Sequence, residues 1–277
     1  EIGVHRDGRF SHPVRAGTWG IDPRIFPWLL SHLDGALYRV GRLQYKTGPF
    51  RQSMRAYRNR KDGRTVLLAD SGLLFRADGR FEGAGGITDP RGRWTSELAD
   101  SPDSVRANPI HPAGFARKEQ VTLPLNEWDL VLQKDDPILE IHIPEDGRMD
   151  HDACGKSVSA AVDFFTRCHP ERIFKAVVCA SWFLDPTYQC LLPDTSNIVR
   201  FQRECYLFPL DSRGARSGIE RIFGAHAHDL DDAPRNTALR RNVLDHFAQG
   251  GVLTAGGALL FSEDLAKWGS QTYLNRF

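Results

Sequence analysis

The sequence predicts a mixed α/β (α+β) fold, with a mostly antiparallel sheet that contains one central pair of parallel strands. Short apolar stretches separated by turn residues fill the first half of the chain, a pattern typical of strands joined by hairpins. The second half has an amphipathic helical stretch between two apolar strands. A strand–helix–strand order joins parallel strands by a right-handed crossover, so we expect the parallel pair there.

The composition is that of an ordinary globular protein and favours no charged polymer as a partner. Charged residues make up 26% and hydrophobic residues 41% of the 277 residues, and the formal net charge is +1. We therefore expect neither nucleic acid nor a membrane as a partner. No segment approaches the ~20 apolar residues of a transmembrane helix. The five cysteines form no Cys-x-x-Cys pair, so we expect a cytoplasmic protein. Because the chain begins at Glu1 rather than Met, we also expect residues upstream of it.

The first half is predicted to open with a short helix and to continue as strands. The run "IFPWLLSHL" has the apolar spacing of one helix face. Strands are predicted in "ALYRVGRLQY", "TVLLAD" and "GLLFRADG", the last two joined by a hairpin turn at Asp70-Ser-Gly72. Residues 81–112, rich in Gly, Pro, Asp and Arg, predict a long surface loop. Three more strands are predicted in "QVTLPL", "EWDLVLQK" and "PILEIHIP".

The second half changes to a helical period. A helix is predicted to start near Asp150, its N-cap, and a buried strand follows in "RIFKAVVCASWFL". The segment "TYQCLLPDTSNIVRFQREC" predicts a helix in two pieces around Pro193. Further strands are predicted in "YLFPL" and "IERIFG", an amphipathic helix in "PRNTALRRNVLDHFAQGG", and a closing strand in "VLTAGGALLF".

Several strings in this order resemble a bacterial family of two-part acyltransferases: "GRLQY", "NPIHPAG", "LPLNEWDLVL", "DDPILEIHIP", "ASWFLDP", "LPDTSNIVRFQ" and "PRNTALRRNVLDHF". The C-terminal part of that family is similar to the GNAT superfamily of acyl-CoA-dependent N-acyltransferases. The resemblance implies a strand-rich N-terminal part, residues 1–127, and a GNAT-like domain, residues 128–277. It implies transfer of an acyl group from acyl-CoA, or another acyl thioester, to the amine of a small molecule or peptide.

The same resemblance implies where coenzyme A binds. In the GNAT fold the helix-start amides after a strand and a glycine-containing turn hold the diphosphate, and the acyl-pantetheine lies between that strand and the next parallel one. The matching segments here are "ILEIHIP", "EDGRM" and the helix from Asp150. The implied coenzyme A contacts are Ile143, Gly147, Arg148, Met149, Lys156, Cys179 and Ala180.

The turn departs from the usual Gln/Arg-x-x-Gly-x-Gly/Ala pattern, because it contains the single glycine Gly147. Four carboxylates surround it, and their charge opposes a diphosphate: Glu145, Asp146, Asp150 and Asp152. This departure favours the alternative of a non-catalytic GNAT-like module that binds a ligand or a partner protein.

Two polar residues on the strand before the turn are candidates for the general base. Glu140 and His142 alternate with apolar residues and so project from one side of the strand. A histidine has its ordinary pKa near the useful range, whereas a glutamate needs its pKa raised by burial. A half-exposed strand with its polar face in water explains the same pattern. In a GNAT-like site the leaving thiolate also needs a proton donor, and the candidates are Ser181, Tyr188 and Tyr206.

The string "HAHDLDD" offers a different chemistry. His226 and His228, followed by aspartates, resemble a metal-ligand cluster, so a metal-dependent hydrolase is a further alternative. A solvated loop explains the string as well, and no second ligand set is visible in the sequence. We therefore expect no resident metal.

Overall fold

The structure is a computed structural model that describes residues 26–212, 216–224 and 230–277. Within these residues the strands are, in chain order, β1 (Tyr38–Val40), β2 (Leu43–Pro49), β3 (Met54–Asn59), β4 (Thr65–Ala69), β5 (Leu74–Phe75), β6 (Trp94–Thr95), β7 (Leu98–Asp100), β8 (Ser104–Ala107), β9 (Pro109–His111), β10 (Phe115–Ala116), β11 (Val121–Pro124), β12 (Trp128–Leu132), β13 (Pro137–His142), β14 (Ala176–Ser181), β15 (Tyr206–Pro209) and β16 (Gly256–Leu260).

The α-helices alternate with strands mainly in the second half of the chain. They are α1 (Phe26–Leu33), α2 (His151–Cys168), α3 (Tyr188–Leu191), α4 (Asn197–Glu204), α5 (Arg216–Phe223) and α6 (Ala238–Ala248). Short 3-10 helices cover Ala84–Gly86, Trp182–Leu184 and Ser262–Lys267. No helix in the described ranges is long and apolar enough to cross a membrane.

A six-stranded sheet with the order β1-β2-β13-β14-β16-β15 is the centre of the fold. β13 and β14 pair in parallel, and the other neighbours in this sheet pair antiparallel. Because α2 lies between β13 and β14 in the chain, these three elements form the crossover unit that the sequence predicts. The mixed, mostly antiparallel fold class is therefore confirmed.

The two faces of this sheet are covered by different elements. On one face the Tyr45 hydroxyl lies 2.9 Å from the Ser157 hydroxyl, which joins β2 to α2. On the other face Tyr206 of β15 hydrogen-bonds to backbone atoms of β4 and β9. These two strands belong to a second, five-stranded antiparallel sheet with the order β10-β9-β4-β3-β12. The main core is thus continuous from α2 through the central sheet to the second sheet.

Strands from both sides of the predicted boundary between residues 127 and 128 share the central sheet. β2 pairs with β13 along the whole strand, from Pro49↔Pro137 to Gln44↔His142. A division of the chain into residues 1–127 and 128–277 stays a prediction, and the sheet makes the two parts structurally interdependent.

Three local predictions are wrong. The turn at Asp70 to Gly72 does not join a hairpin, because β4 pairs with β3 and β9, whereas β5 pairs with β6. Residues 81–112 are not one open loop, because they contain β6 to β9, and the side chains of Phe81, Trp94 and Ile110 are buried. The string "IERIFG" lies in α5 and is not a strand. The predicted two-piece helix around Pro193 and the helix in "PRNTALRRNVLDHFAQGG" are confirmed as α3, α4 and α6.

Candidate functional site

Glu140 and His142 lie side by side on one face of β13. Glu140 is opposite Lys46 and His142 is opposite Gln44 in the register with β2. The intervening Ile141 is buried on the face that carries Tyr45 and α2. The two polar side chains are each about one-third exposed, at 27% for Glu140 and 32% for His142. The predicted common orientation is therefore present, and neither group is free in solvent.

The two side chains form a close pair. His142 Nε2 lies 3.6 Å from Glu140 Oε2, which is an ion-pair distance and longer than a hydrogen bond. The Glu140 carboxylate lies above Gly48, where an added Cβ atom would be 2.5 Å from Oε1. Because Gly48 has no side chain, it leaves the space in which the carboxylate approaches the histidine.

The pKa of Glu140 bears on which residue of the pair can act as the base. The neighbouring His142 imidazole, with smaller contributions from the charges of Lys46 and Arg51, holds the pKa of the Glu140 carboxyl below its usual value, although burial acts to raise it. A glutamate base acting near neutral pH needs the opposite shift. Glu140 is therefore ionised in the neutral range. Its carboxylate is suited to orient the neighbouring imidazole of His142.

Trp28 and Glu140 both lie beside the His142 imidazole. Trp28 of α1 packs against the ring, with centroids 4.6 Å apart and planes inclined by 59°. Nε2 is shielded from solvent and makes no hydrogen bond to any group in the described part of the chain. This nitrogen faces Glu140 Oε2 at 3.6 Å, so a small shift of either side chain would complete a hydrogen bond between them. Sequence reasoning did not identify Trp28, because nothing local indicates that α1 returns to β13.

The parallel strands separate next to this histidine. The register between β13 and β14 ends at Ile141↔Cys179. β13 continues along β2 to His142, and β14 continues along β16 to Ser181. Beyond Ile141 the facing edges of the two strands are unpaired with each other, and an extended amide-containing chain can add hydrogen bonds to such edges.

The segment after β13 leads directly into the start of α2. The Asp150 side chain caps the helix by accepting a hydrogen bond from the Ala153 N–H at 2.9 Å, as predicted. The backbone N–H groups of residues 148–152 donate to no group in the described ranges. Free amides at a helix start and the positive end of its dipole favour an anion. The local geometry thus fits the diphosphate of a nucleotide-containing thioester.

The carboxylates that surround this helix start are already engaged. Asp146 forms a salt bridge with Arg39, which lowers the pKa of the Asp146 carboxyl. Glu145 lies 2.8 Å from Arg221, and Asp152 lies 3.0 Å from His151. Together with the capping role of Asp150, these contacts give each carboxylate a partner.

The residues implied as coenzyme A contacts differ in accessibility. In this set Gly147, Arg148, Lys156 and Ala180 are exposed, Ile143 is half-buried, and Met149 and Cys179 are buried. Burial raises the pKa of the Cys179 thiol to about 12, so this side chain is an inert core residue. Met149 and Cys179 can reach a ligand only through their backbones. Their binding roles stay predictions.

The three candidate proton donors have unequal surroundings. The hydroxyl of Ser181 accepts a hydrogen bond from the Phe183 N–H at 3.2 Å, and its own hydrogen remains available. Tyr188 is fully buried in a cluster with residues of α4 and α6, and burial raises the pKa of its hydroxyl. Tyr206 is fully buried as well, and burial likewise raises its pKa. Ser181 is the one candidate of the three that is not buried, and the proton-donor roles of all three stay predictions.

Replacing Tyr206 with Phe separates a structural role from a catalytic one. The hydroxyl accepts from the Leu67 N–H at 3.1 Å and donates to the Ile110 carbonyl, and both groups would be left unsatisfied in the buried interface. We expect a loss of about 1–3 kcal/mol in the free energy of unfolding, measured by urea denaturation. The half-exposed Tyr38→Phe serves as the control and should change stability by about 0.5 kcal/mol or less. A normally stable Tyr206→Phe protein would contradict the structural role.

The metal alternative rests on residues outside the described ranges. His226 and His228 lie there, and nothing in the geometry bears on them. Within the described ranges no group of three or more His, Cys, Asp and Glu side chains is arranged to hold a metal ion.

The fold is similar to that of solved acyltransferase structures. An acyltransferase in complex with decanoyl-CoA and teicoplanin matches with a TM-score of 0.54 and 21% identity, over 94% of this chain and 54% of that one. An acyltransferase in complex with CoA and 10C-teicoplanin matches with a TM-score of 0.52 and 21% identity, over 89% of this chain and 52% of that one. The chain thus spans about half the length of these structures.

The amino-acid sequence shows which protein family the chain belongs to. The family model described as "GNAT-like C-terminal domain" matches residues 37–260, which is most of the chain. The protein belongs to this family. No curated protein sequence matches the chain.

Proposed function

We propose that the protein is an N-acyltransferase that takes an acyl group from an acyl-CoA and transfers it to the amine of a small-molecule acceptor. The observation that carries the proposal is the opening of the β13–β14 pair beside His142, immediately before a helix start with free amides. A thioester held between the strands would place its carbonyl carbon close to the His142 side chain. The acyltransferase neighbours whose complexes contain decanoyl-CoA or CoA support this choice of donor.

We propose a role for each of three residues. His142 takes a proton from the acceptor amine as the nitrogen attacks the thioester carbonyl carbon, and ionised Glu140 stabilises the resulting imidazolium. The new C–N bond forms, the C–S bond breaks, and the sulfur leaves as a thiolate. Ser181, at the end of β14, is proposed to pass its hydroxyl proton to this thiolate and to be reprotonated through solvent by the proton that His142 took from the amine. Burial of the reacting groups strengthens these electrostatic interactions.

The acceptor is proposed to approach from the face that the N-terminal part of the chain builds. Trp28, Gln44 and Lys46 come from residues 1–127 and lie around Glu140 and His142. The neighbour complex with teicoplanin supports a small-molecule acceptor. A peptide amine has the same chemistry and belongs to the set of acceptors to test.

The donor part of the proposal is tested by ligand-dependent stability. A ligand present at about 100 times its Kd stabilises the folded state by about 2.7 kcal/mol. For a chain of this size, roughly this free energy raises the melting temperature by several degrees. We therefore expect such a rise with acetyl-, octanoyl- or decanoyl-CoA. Adenosine alone is the control and should have little effect. If no acyl-CoA stabilises the protein, the donor assignment is wrong.

The same samples distinguish an enzyme from a binding module. Release of free CoA thiol on addition of amines, followed with a thiol reagent, is expected for the enzyme. The non-catalytic alternative, favoured by the acidic turn, predicts stabilisation by acyl-CoA without thiol release for any amine, and it would replace our proposal if that were observed.

A further inference from the structure

Arg42 is inserted into the turn that connects β13 to α2. It lies in the link between β1 and β2, and its side chain is only 9% exposed. Nε donates to the Arg148 carbonyl at 2.7 Å, and Nη2 donates to the Pro144 carbonyl at 2.9 Å. Nη2 also donates to the Gly147 carbonyl. One guanidinium therefore binds three carbonyl groups of a single turn, across more than a hundred residues of sequence.

These contacts decide which polar groups of the turn remain available. The carbonyl groups are directed toward Arg42, whereas the N–H groups of residues 148–152 donate to no group that the structure describes. The third nitrogen of Arg42, Nη1, is buried without a hydrogen-bond partner in the described ranges. Its nearest carboxylate oxygen, Asp146 Oδ1, is 3.9 Å away, and Asp146 is itself bound to Arg39. A buried cation that is incompletely paired favours a nearby anion.

The position of Arg42 is fixed relative to the helix start. The Ser157 hydroxyl of α2 donates to the Val40 carbonyl and accepts from the Leu43 N–H at 3.1 Å. Both ends of the link that carries Arg42 are thus attached to the helix whose amides face the proposed anion. A side chain held in this way loses little further freedom when a ligand binds.

We propose that Arg42 is a positioning residue that builds the diphosphate site of the donor, in place of the closely spaced small residues that this turn lacks. It draws the turn carbonyls inward, so that the amides of residues 148–152 face the ligand. It also contributes a buried positive charge that offsets the four surrounding carboxylates. The proposal rests on the proposed function, since it concerns the acyl-CoA site.

The experiment compares two donors that differ in their phosphates. Arg42→Met is expected to weaken CoA binding by about 10- to 100-fold in calorimetry. Acyl transfer from S-acetylpantetheine, which has no diphosphate, should keep its kcat/KM within about threefold of the wild-type value. Arg42→Lys keeps the charge and loses the planar fork, so its CoA affinity should lie between those of wild type and Arg42→Met. If Arg42→Met does not fold, the CoA affinity of Arg42→Lys tests the proposal instead.

Arg39→Met is the matched control. Arg39 is on the same hairpin and binds Asp146, but it is 46% exposed and makes no hydrogen bond to the carbonyls of residues 144–148 in the described structure. Its replacement should change CoA affinity by about threefold or less. Unchanged CoA affinity in the Arg42 variants, equal losses with CoA and S-acetylpantetheine, or an equal loss in Arg39→Met would each overturn the proposal. Absence of CoA binding in the wild-type protein would instead contradict the proposed function.

Discussion

His142→Ala is expected to lower kcat for acyl transfer by about 10²- to 10⁴-fold, the range that positioned general bases contribute. The affinity for acyl-CoA should change little, because the ring lies on the acceptor face of β13 and not at the turn. Steady-state kinetics with saturating acyl-CoA, combined with calorimetry, measures the two effects separately. Gln44→Ala is the matched control, because Gln44 is opposite His142 on β2 and bears no titratable group.

The pH dependence distinguishes the two members of the pair. Because the neighbouring His142 lowers the pKa of Glu140, this carboxyl is ionised throughout the neutral range and protonates only in more acidic solution. We therefore expect protonation of Glu140 to lower kcat only in acidic solution, which a pH–rate profile measures. Glu140→Gln is expected to lower kcat less than His142→Ala does. If Glu140→Gln abolishes activity while His142→Ala retains it, the assignment of the base must be reversed.

Asp185→Asn is expected to lower the free energy of unfolding by about 3 kcal/mol. The Asp185 carboxylate is fully buried and accepts hydrogen bonds from the N–H groups of Thr187, at 2.9 Å, and Thr254. Arg80 lies 3.5 Å from it. The substitution removes the charge that faces Arg80 and one of the two acceptor oxygens, so one of the two N–H groups loses its partner. Arg80 keeps its hydrogen bond to the Thr187 hydroxyl, at 2.8 Å.

An exposed ion pair provides the control for Asp185. Asp194 is 73% exposed and lies 2.7 Å from Arg203, and Asp194→Asn should change stability by about 0.5 kcal/mol or less. Thermal unfolding should show a fall of roughly 5–10 °C in the melting temperature of Asp185→Asn, as about 3 kcal/mol implies for a chain of this size. Similar melting temperatures for both variants would mean that the buried contacts of Asp185 contribute little.

Long elements with a clear period were predictable from the sequence. The apolar spacing and the capping aspartate predicted α2, and the apolar run after it predicted β14. The missed elements are those whose pattern is short or ambiguous. Strands of two to four residues, such as β6 to β9, are too short to show alternation, so residues 81–112 resembled a loop. In α5, Ile219, Ile222 and Phe223 have helical spacing, and a window of six residues was too narrow to reveal it.

The partner of a strand was not predictable from its neighbours in the chain. β4 is buried at every residue and lies between β3 and β9. An adjacent apolar stretch and a turn signal at Asp70 made a local hairpin the simplest interpretation. Burial decides how β4 pairs. A fully buried strand is more stable in the middle of a sheet than beside a strand of two residues.

The sequence by itself determined the class of fold, the crossover from β13 through α2 to β14, and the common orientation of Glu140 and His142, because these depend on periods of two and 3.6 residues. Only the tertiary structure decided the chemistry of the site. It brought Gly48 beneath Glu140, Trp28 against His142, and Arg42 into the turn before α2. It also gave each carboxylate around the helix start a partner. Charges and contacts of this kind act through space between residues distant in sequence, so no local pattern could contain them.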